Sequence, residues 1–286
     1  MSILREKMIK DMKLRNLSES TQEAYLFQVK SFAEYYGRSP SYISEEELRD
    51  YLLYLSHEKR VSESKFRQTI YGIKFLYTIT LNRTWQTIKI VRPPKSRKLP
   101  IILSQSEIKR LLEVTTNLKH VAILSMVYSG GLRVGEVCDL RIGDIDSDRM
   151  QIRITQSKGR KDRYTILGKA ALVCLNEFWE SNCLNQKERI ISKHDTWLFP
   201  GGIPSKPISI RTVQKVFSQA CEKAEIVKKV SIHSLRHSFA THLMEAGIGL
   251  RYIQTLLGHK NLATTAIYTH VCREDINRIV SPIDTL

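Results

Sequence analysis

Twelve residues in the first half of the chain, Lys89-Ile-Val-Arg-Pro-Pro-Lys-Ser-Arg-Lys-Leu-Pro100, prevent any helix or strand from running through them. Three are proline, five are basic and none is acidic. Proline removes a backbone donor and fixes φ, so it stops helices and pushes the chain toward extended forms. A chain of 286 residues interrupted here leaves two segments, each long enough to bury its own core. The expected organisation is an N-terminal domain over residues 1–88, a linker over 89–100 and a larger domain over 101–286. Arg92, Lys95, Arg97 and Lys98 in the linker suit an extended strap along an anionic backbone, or equally a solvated linker.

Charge narrows the partner. Lys and Arg number 45 against 29 Asp and Glu, a formal charge of +16. Residues 1–99 hold 19 of the basic and 11 of the acidic groups, so each segment carries +8. Excess charge on both sides suits a protein that grips DNA from two directions, with binding that weakens steeply in salt. A generally basic soluble protein would share this composition. A membrane partner is not expected, because no lipidation motif, signal peptide or apolar run of transmembrane length is visible. The five cysteines, at 138, 174, 183, 221 and 272, are odd in number and form no CxxC. They read as reduced thiols, so the expected location is the cytoplasm, at the nucleoid.

The segment before the linker reads as helices. Ser20-Thr-Gln-Glu23 reads as a capping box opening a helix toward Gly37, with Tyr25, Val29, Phe32 and Tyr36 on one stripe. Ser44-Glu-Glu-Glu47 caps another, carrying Leu48, Tyr51, Leu52 and Leu55. A further helix over about 62–80 turns Phe66, Ile70, Ile73 and Tyr77 inward. It leaves Lys65, Arg67 and Lys74 for solvent or phosphate.

Beyond the linker, Ser104-Gln-Ser-Glu107 caps a helix with Ile108, Leu111 and Leu112. An apolar helix around Val121–Tyr128 is broken by Gly130-Gly131, and Arg133 opens the next with Val134, Val137 and Leu140. Glu136 either braces Arg133 or lies on the helix surface. Met150–Thr155 alternates as a strand, Arg163–Leu167 forms a second, and Ser157-Lys-Gly-Arg-Lys-Asp162 joins them as a charged hairpin. Lys158, Arg160 and Lys161 are equivalent cations there on spacing alone. The remainder reads as mainly helical to about residue 275, with Trp179, Trp197 and Phe199 as core.

The densest chemistry lies in His233-Ser-Leu-Arg236, Gly258-His259 and Ile267-Tyr268-Thr269-His270. A tyrosine accompanied by arginine and histidine in a basic protein suits nucleophilic attack on a phosphodiester, with cationic donors on the non-bridging oxygens. Arginine makes two parallel hydrogen bonds to phosphate and keeps its charge. A phosphotyrosine ester conserves bond energy for resealing, which a hydrolase using water would not need. Singly, each residue also fits an ordinary packed contact, and His233, His237 and His242 could simply share a helix face. The three histidines have no cysteine pair nearby and HExxH is absent, so no metal is expected. No P-loop is present, so no nucleotide or other cofactor is expected either.

Across longer stretches the chain resembles the tyrosine recombinases, the phage-type integrase and Xer-like family. The resemblance rests on His233-Ser-Leu-Arg-His-Ser-Phe-Ala-Thr-His-Leu, Leu256-Leu-Gly-His-Lys and Thr264-Thr-Ala-Ile-Tyr-Thr-His-Val. Ser129-Gly-Gly-Leu-Arg-Val-Gly-Glu-Val resembles the family's first arginine motif, and Gln156-Ser-Lys-Gly-Arg-Lys-Asp-Arg-Tyr its β-hairpin lysine motif. Six positions thus fall in family order: Arg133, Lys158, His233, Arg236, His259 and Tyr268.

The resemblance implies a mainly α protein with a small β-hairpin or sheet in its catalytic domain, closing on duplex DNA as a two-domain C-shaped clamp. It implies that Tyr268 attacks the scissile phosphate, giving a 3′-phosphotyrosyl link and a free 5′-hydroxyl, and that two such exchanges with a Holliday junction between them recombine the strands. Arg133 and Arg236 would hold the phosphate, Lys158 would protonate the leaving 5′-oxygen, His233 would serve the nucleophile and His259 would orient the site. The implied partners are a double-stranded recombination site, further copies in a synaptic tetramer, and accessory DNA-bending or partner recombinase proteins. A type IB topoisomerase that reseals the same strand, or a DNA-binding protein without catalysis, are the alternatives. A metal-dependent nuclease lacks its metal constellation. Both chromosome-dimer resolution and mobile-element integration fit, and the tail from Asn277 to Leu286 leans toward the second. The segment after Tyr268, with Val271, Ile276, Ile279, Val280 and Ile283, either folds back on its own domain or, as the resemblance implies, docks on a neighbouring protomer.

Overall fold

The computed structural model describes residues 3–83, 99–157, 161–183, 195–203, 205–259 and 261–270. The chain forms two compact units, Met1–Arg97 and Lys98–Leu286. The first is helical: α1 (Ile3–Leu14), α2 (Glu19–Tyr36), α3 (Glu45–Leu53) and α4 (Glu63–Phe75). Ser44 and Glu47 form the expected capping box, satisfying backbone donors that the first turn cannot pair internally. α2 differs from expectation. Its cap is Ser18, which accepts from the Thr21 amide, so the helix starts before Ser20. Gly37 ends it at φ 64°, as a left-handed cap suited to glycine. Leu48, Tyr51, Leu52, Phe66, Ile70, Ile73 and Tyr77 all lie in the core, but of the α2 stripe only Phe32 is fully buried. Gln28 is buried instead, and Thr69 of α4 donates to its Oε1 at 2.9 Å, which settles a polar group that would otherwise cost stability.

The second unit holds α5 (Gln105–Glu113), α6 (Leu118–Gly130), α7 (Val134–Cys138), α8 (Lys169–Cys183), α9 (Ile210–Lys223), α10 (His233–Glu245), α11 (Leu250–Leu257) and α12 (Leu262–Thr265), with a small sheet whose last strand packs on α6 and α11. The sheet is antiparallel, in the order β1 (Ile145–Asp146), β2 (Gln151–Ser157), β3 (Lys161–Ile166); β1 was not anticipated. Ile152 faces Thr165 and Ile154 faces Arg163 across the β2–β3 ladder. Strand alternation therefore places Ile152, Ile154, Thr165 and Arg163 on the inner face, and Arg153 and Tyr164 outside. The Thr165 hydroxyl donates to the Gly130 carbonyl at 2.8 Å, anchoring the sheet to the end of α6. Phe199 is core as expected, but Trp197 is only partly buried, with the Arg141 guanidinium 4.5 Å above its ring. Cys138, Cys174 and Cys221 are free thiols. No helix among the described residues is long and apolar enough to cross a membrane.

Candidate active site

The site grows from the break between α6 and α7. Gly131 adopts φ 60°, and a Cβ added there would lie 2.4 Å from the Phe239 ring, so both conformation and space demand glycine. This turn sets Arg133 at the N-cap of α7. Glu136, one turn on, accepts the Arg133 amide at 2.8 Å and Arg133 Nη1 at 2.6 Å. Glu136 is thus a brace and not a surface carboxylate. It also accepts a second arginine that the sequence did not single out. Arg163 donates Nη1 to Oε1 at 2.7 Å and Nη2 to Oε2 at 2.8 Å.

Arg236 enters from the first turns of α10 and is 4% exposed. Its Nη1 donates to the Gly131 carbonyl and its Nη2 to the Leu257 carbonyl, each at 2.6 Å. Nη2 also lies 3.1 Å from His259 Nε2. A guanidinium cannot accept, so His259 Nε2 accepts and Nδ1 carries the proton. That Nδ1 donates to Thr265 Oγ1 at 2.9 Å. Arg236 Nη1 is 3.7 Å from Glu136 Oε2, an ion pair beyond hydrogen-bonding reach.

Tyr268 is buried against α10, its hydroxyl 3.0 Å from Nδ1 of His237, the residue after Arg236. His237, not His233, is therefore the imidazole on the phenol. His233 has an open face and lines a cleft of about 350 Å³ with Arg133, Glu136, Asp139, Asp144, Arg153 and Thr155. Lys65 and Lys74 are exposed on α4 in the first unit and Arg67 is partly buried there. Lys161 begins β3. Lys158, Arg160, Arg92, Lys95, Arg97, Lys98 and the tail after His270 lie outside the described residues, as does the Lys161 side chain.

The electrostatics favour an anion. Burial alone would raise the Glu136 carboxyl, but the hydrogen bonds and charges of Arg163 and Arg133 outweigh it and hold it at about 2. Burial, and then the Arg133 charge, push Arg236 down to about 9, still cationic at neutral pH. Burial also lowers His259 to about 4, helped by Arg236, Arg133 and Arg163. His237 falls to about 4 through burial and then the neighbouring His233 and Arg236. Burial raises the Tyr268 phenol, against the opposing pull of Arg236 and Arg133. Three arginines thus surround one ionised carboxylate, leaving uncompensated positive charge beside neutral imidazoles.

Residues 102–274 match the family model described as the phage integrase family, and residues 4–87 match the phage integrase N-terminal SAM-like domain. The chain belongs to the phage integrase family. It is a tyrosine-type site-specific DNA recombinase. The tyrosine recombinase XerC of Halalkalibacterium halodurans is 31% identical to it over 282 residues, covering 93% of this chain and 91% of the relative. An integrase/recombinase of Escherichia coli is 30% identical over 93% of this chain and 88% of its own. The crystal structure of XerA recombinase, 28% identical, aligns with a TM-score of 0.55 over 97% of this chain and 99% of that one. XerH site-specific recombinase, solved bound to a palindromic difH substrate, reaches 0.71 at 21% identity, over 92% and 80% of the two chains. At that identity the likeness to XerH is one of fold.

Arg163 and His237 carried signals that sequence reading passed over. Ile152 and Ile154 point inward, so a period of two on the paired strand sends Arg163 into the same core. A charged residue at an inward strand position requires a buried partner. His237 had only its place on the helix face of His233, and nothing local links it to a tyrosine 31 residues on.

Proposed function

We propose that Tyr268 is the nucleophile that cleaves one DNA strand, with Arg133, Lys158, His233, Arg236 and His259 serving the same phosphate. The observation that carries this reading is the convergence of Arg133 on Glu136 and Arg236 on Gly131, with His259 on the Arg236 guanidinium and Tyr268 on the adjacent His237 of α10. The phenolic oxygen attacks phosphorus and the P–O bond to the 5′-oxygen breaks. The products are a 3′-phosphotyrosyl ester and a free 5′-hydroxyl. The phenol proton passes to His237, whose Nδ1 lies in hydrogen-bond reach at 3.0 Å. Arg133 and Arg236 take the charge developing on the non-bridging oxygens. His233 reaches the same oxygens from the cleft, and Lys158 supplies the proton to the leaving oxygen. A 5′-hydroxyl from the partner duplex then attacks the phosphotyrosine, restoring the phosphodiester and releasing Tyr268.

DNA as the partner is supported by the relatives solved on DNA, XerH with its difH substrate and a λ integrase fragment bound as a dimer to a COC′ core site. On this reading the two units and the basic linker, with Lys65, Arg67, Lys74, Arg92, Lys95, Arg97, Lys98, Arg160 and Lys161, close around one duplex as a clamp. Four copies assemble on two sites, helped by DNA-bending or partner recombinase proteins. The decisive experiment is Tyr268→Phe on nicked suicide DNA. The variant should bind its site normally and form no covalent complex. A trapped complex would move the nucleophile to another tyrosine, such as Tyr252.

A further inference from the structure

An ionised carboxylate has two oxygens and room for about four hydrogen-bond donors. Glu136 uses all of them: the Arg133 amide, Arg133 Nη1, Arg163 Nη1 and Arg163 Nη2. Half of that set comes from Arg163. Arg236, whose Nη1 lies 3.7 Å from Glu136 Oε2, finds no place on the carboxylate and points to main-chain carbonyls instead. Arg163 is itself fixed twice more. Its Nε donates to the Leu256 carbonyl at 2.9 Å, and its stem fills the space over Gly258, where an added Cβ would lie 2.7 Å from Arg163 Cδ. One side chain from β3 thus holds the end of α11, just before His259, and occupies the acid at the start of α7.

We propose that Arg163 is a positioning residue that saturates Glu136 and so keeps the carboxylate from capturing Arg236 and from tightening its existing hold on Arg133, the two arginines that serve the DNA phosphate. This inference rests on the function proposed above. On that function, Glu136 and a scissile phosphate compete for the same cations. Without Arg163, two acceptor positions on Glu136 open, and the nearest cation able to fill them is Arg236, which would leave Gly131 to do so. Arg133 would also bind its carboxylate more tightly. Either change takes donors from the transition state while leaving the fold and most DNA contacts in place. Neutralising the acid should then undo part of the damage, which no purely structural role for Arg163 predicts.

The test uses the full chain and single-turnover cleavage of suicide DNA by Arg163→Met, Arg163→Lys, Arg163→Met/Glu136→Gln and Arg163→Lys/Glu136→Gln. Thermal unfolding and gel-shift binding run in parallel. Arg163→Met should lower the cleavage rate by about 10²-fold, the scale of losing one transition-state donor, with binding changed by less than about 3-fold. Arg163→Lys keeps the aliphatic stem over Gly258 but places one ammonium where two parallel donors stood, so it should fall short by about 10-fold. Adding Glu136→Gln should raise cleavage about 5- to 10-fold above the matching single variant, because a neutral amide competes weakly for cations. If Arg163→Met does not fold, the lysine pair carries the same comparison. The proposal fails if folded Arg163 variants cleave within about 3-fold of the parent, or if Glu136→Gln adds to the loss instead of relieving it. Arg133→Ala and Tyr268→Phe serve as controls. Full cleavage by those would overturn the active-site reading itself, whereas their loss beside unaffected Arg163 variants would overturn only this inference.

Discussion

Replacing Gly131 by alanine tests whether the turn between α6 and α7 builds the proposed phosphate clamp. Gly131 sits at φ 60°, and a Cβ would lie 2.4 and 2.6 Å from two Phe239 ring carbons and 3.0 Å from Leu257 Cδ2. Gly247 is the internal control. It lies in the same unit at φ 82°, with nothing within 4 Å of its Cβ position. Both alanine variants incur the left-handed backbone cost of about 1–2 kcal/mol, and both gain the same reduction in unfolded-chain freedom. These shared effects cancel in the comparison. What remains is the overpacking at Gly131, about 1–3 kcal/mol for forcing a ring and a leucine aside. For a domain of this size that corresponds to a melting point roughly 2–12 °C below that of Gly247→Ala. Intrinsic fluorescence reads it, since two of the three tryptophans, Trp179 and Trp197, lie in this unit. The Gly131 carbonyl also accepts Arg236 Nη1. Cleavage assayed well below both melting points should therefore fall more for Gly131→Ala than for Gly247→Ala. Phe239→Leu in the same chain should return part of the loss by making room. Equal melting and equal cleavage for the two glycine variants would refute the steric argument and the role given to this turn.

Lys158→Ala should cleave poorly on ordinary DNA and recover on a 5′-phosphorothiolate, because sulfur leaves without a proton; recovery by a Lys161 variant in its place would move the general acid along the hairpin. Folded His237 and His259 bind protons only near pH 4, against 6.5 for an unperturbed histidine, so the unfolded chain binds more protons between those values. Stability of the second unit should fall as pH drops from about 6.5 toward 4, and His237→Gln should reduce that slope by up to about one proton in melts across the window. DNA affinity should fall with salt at a log–log slope of roughly −5 or steeper, measured by fluorescence anisotropy; a slope near −1 would argue against a grip by both halves of a +16 chain.

Much of the molecule was legible in single residues and their near neighbours. The boxes at Ser44 and Ser104, the stop at Gly37 and the entry of Arg133 into α7 all depend on groups within three or four positions of one another. Backbone donors at a helix start must find an acceptor close by, so a serine followed by a glutamate three residues on announces the helix whatever else the fold does. Even there a neighbour can take the place: Ser18, two residues earlier, caps α2, its hydroxyl accepting from the Thr21 amide. The order of the motifs around Arg133, His233, Arg236, His259 and Tyr268 was likewise readable along the chain. Which side chains meet was not. Arg163 reaches Glu136 across 27 residues, His237 reaches Tyr268 across 31, and Arg236 finds the Gly131 carbonyl across 105. Those contacts follow from the β2–β3 register and the rotation of α10 against the α6–α7 turn, which are set by packing of the whole apolar core. A buried charge settles on whichever partner that packing brings within hydrogen-bond distance, so the pairing belongs to the assembled unit and to no local stretch of the chain.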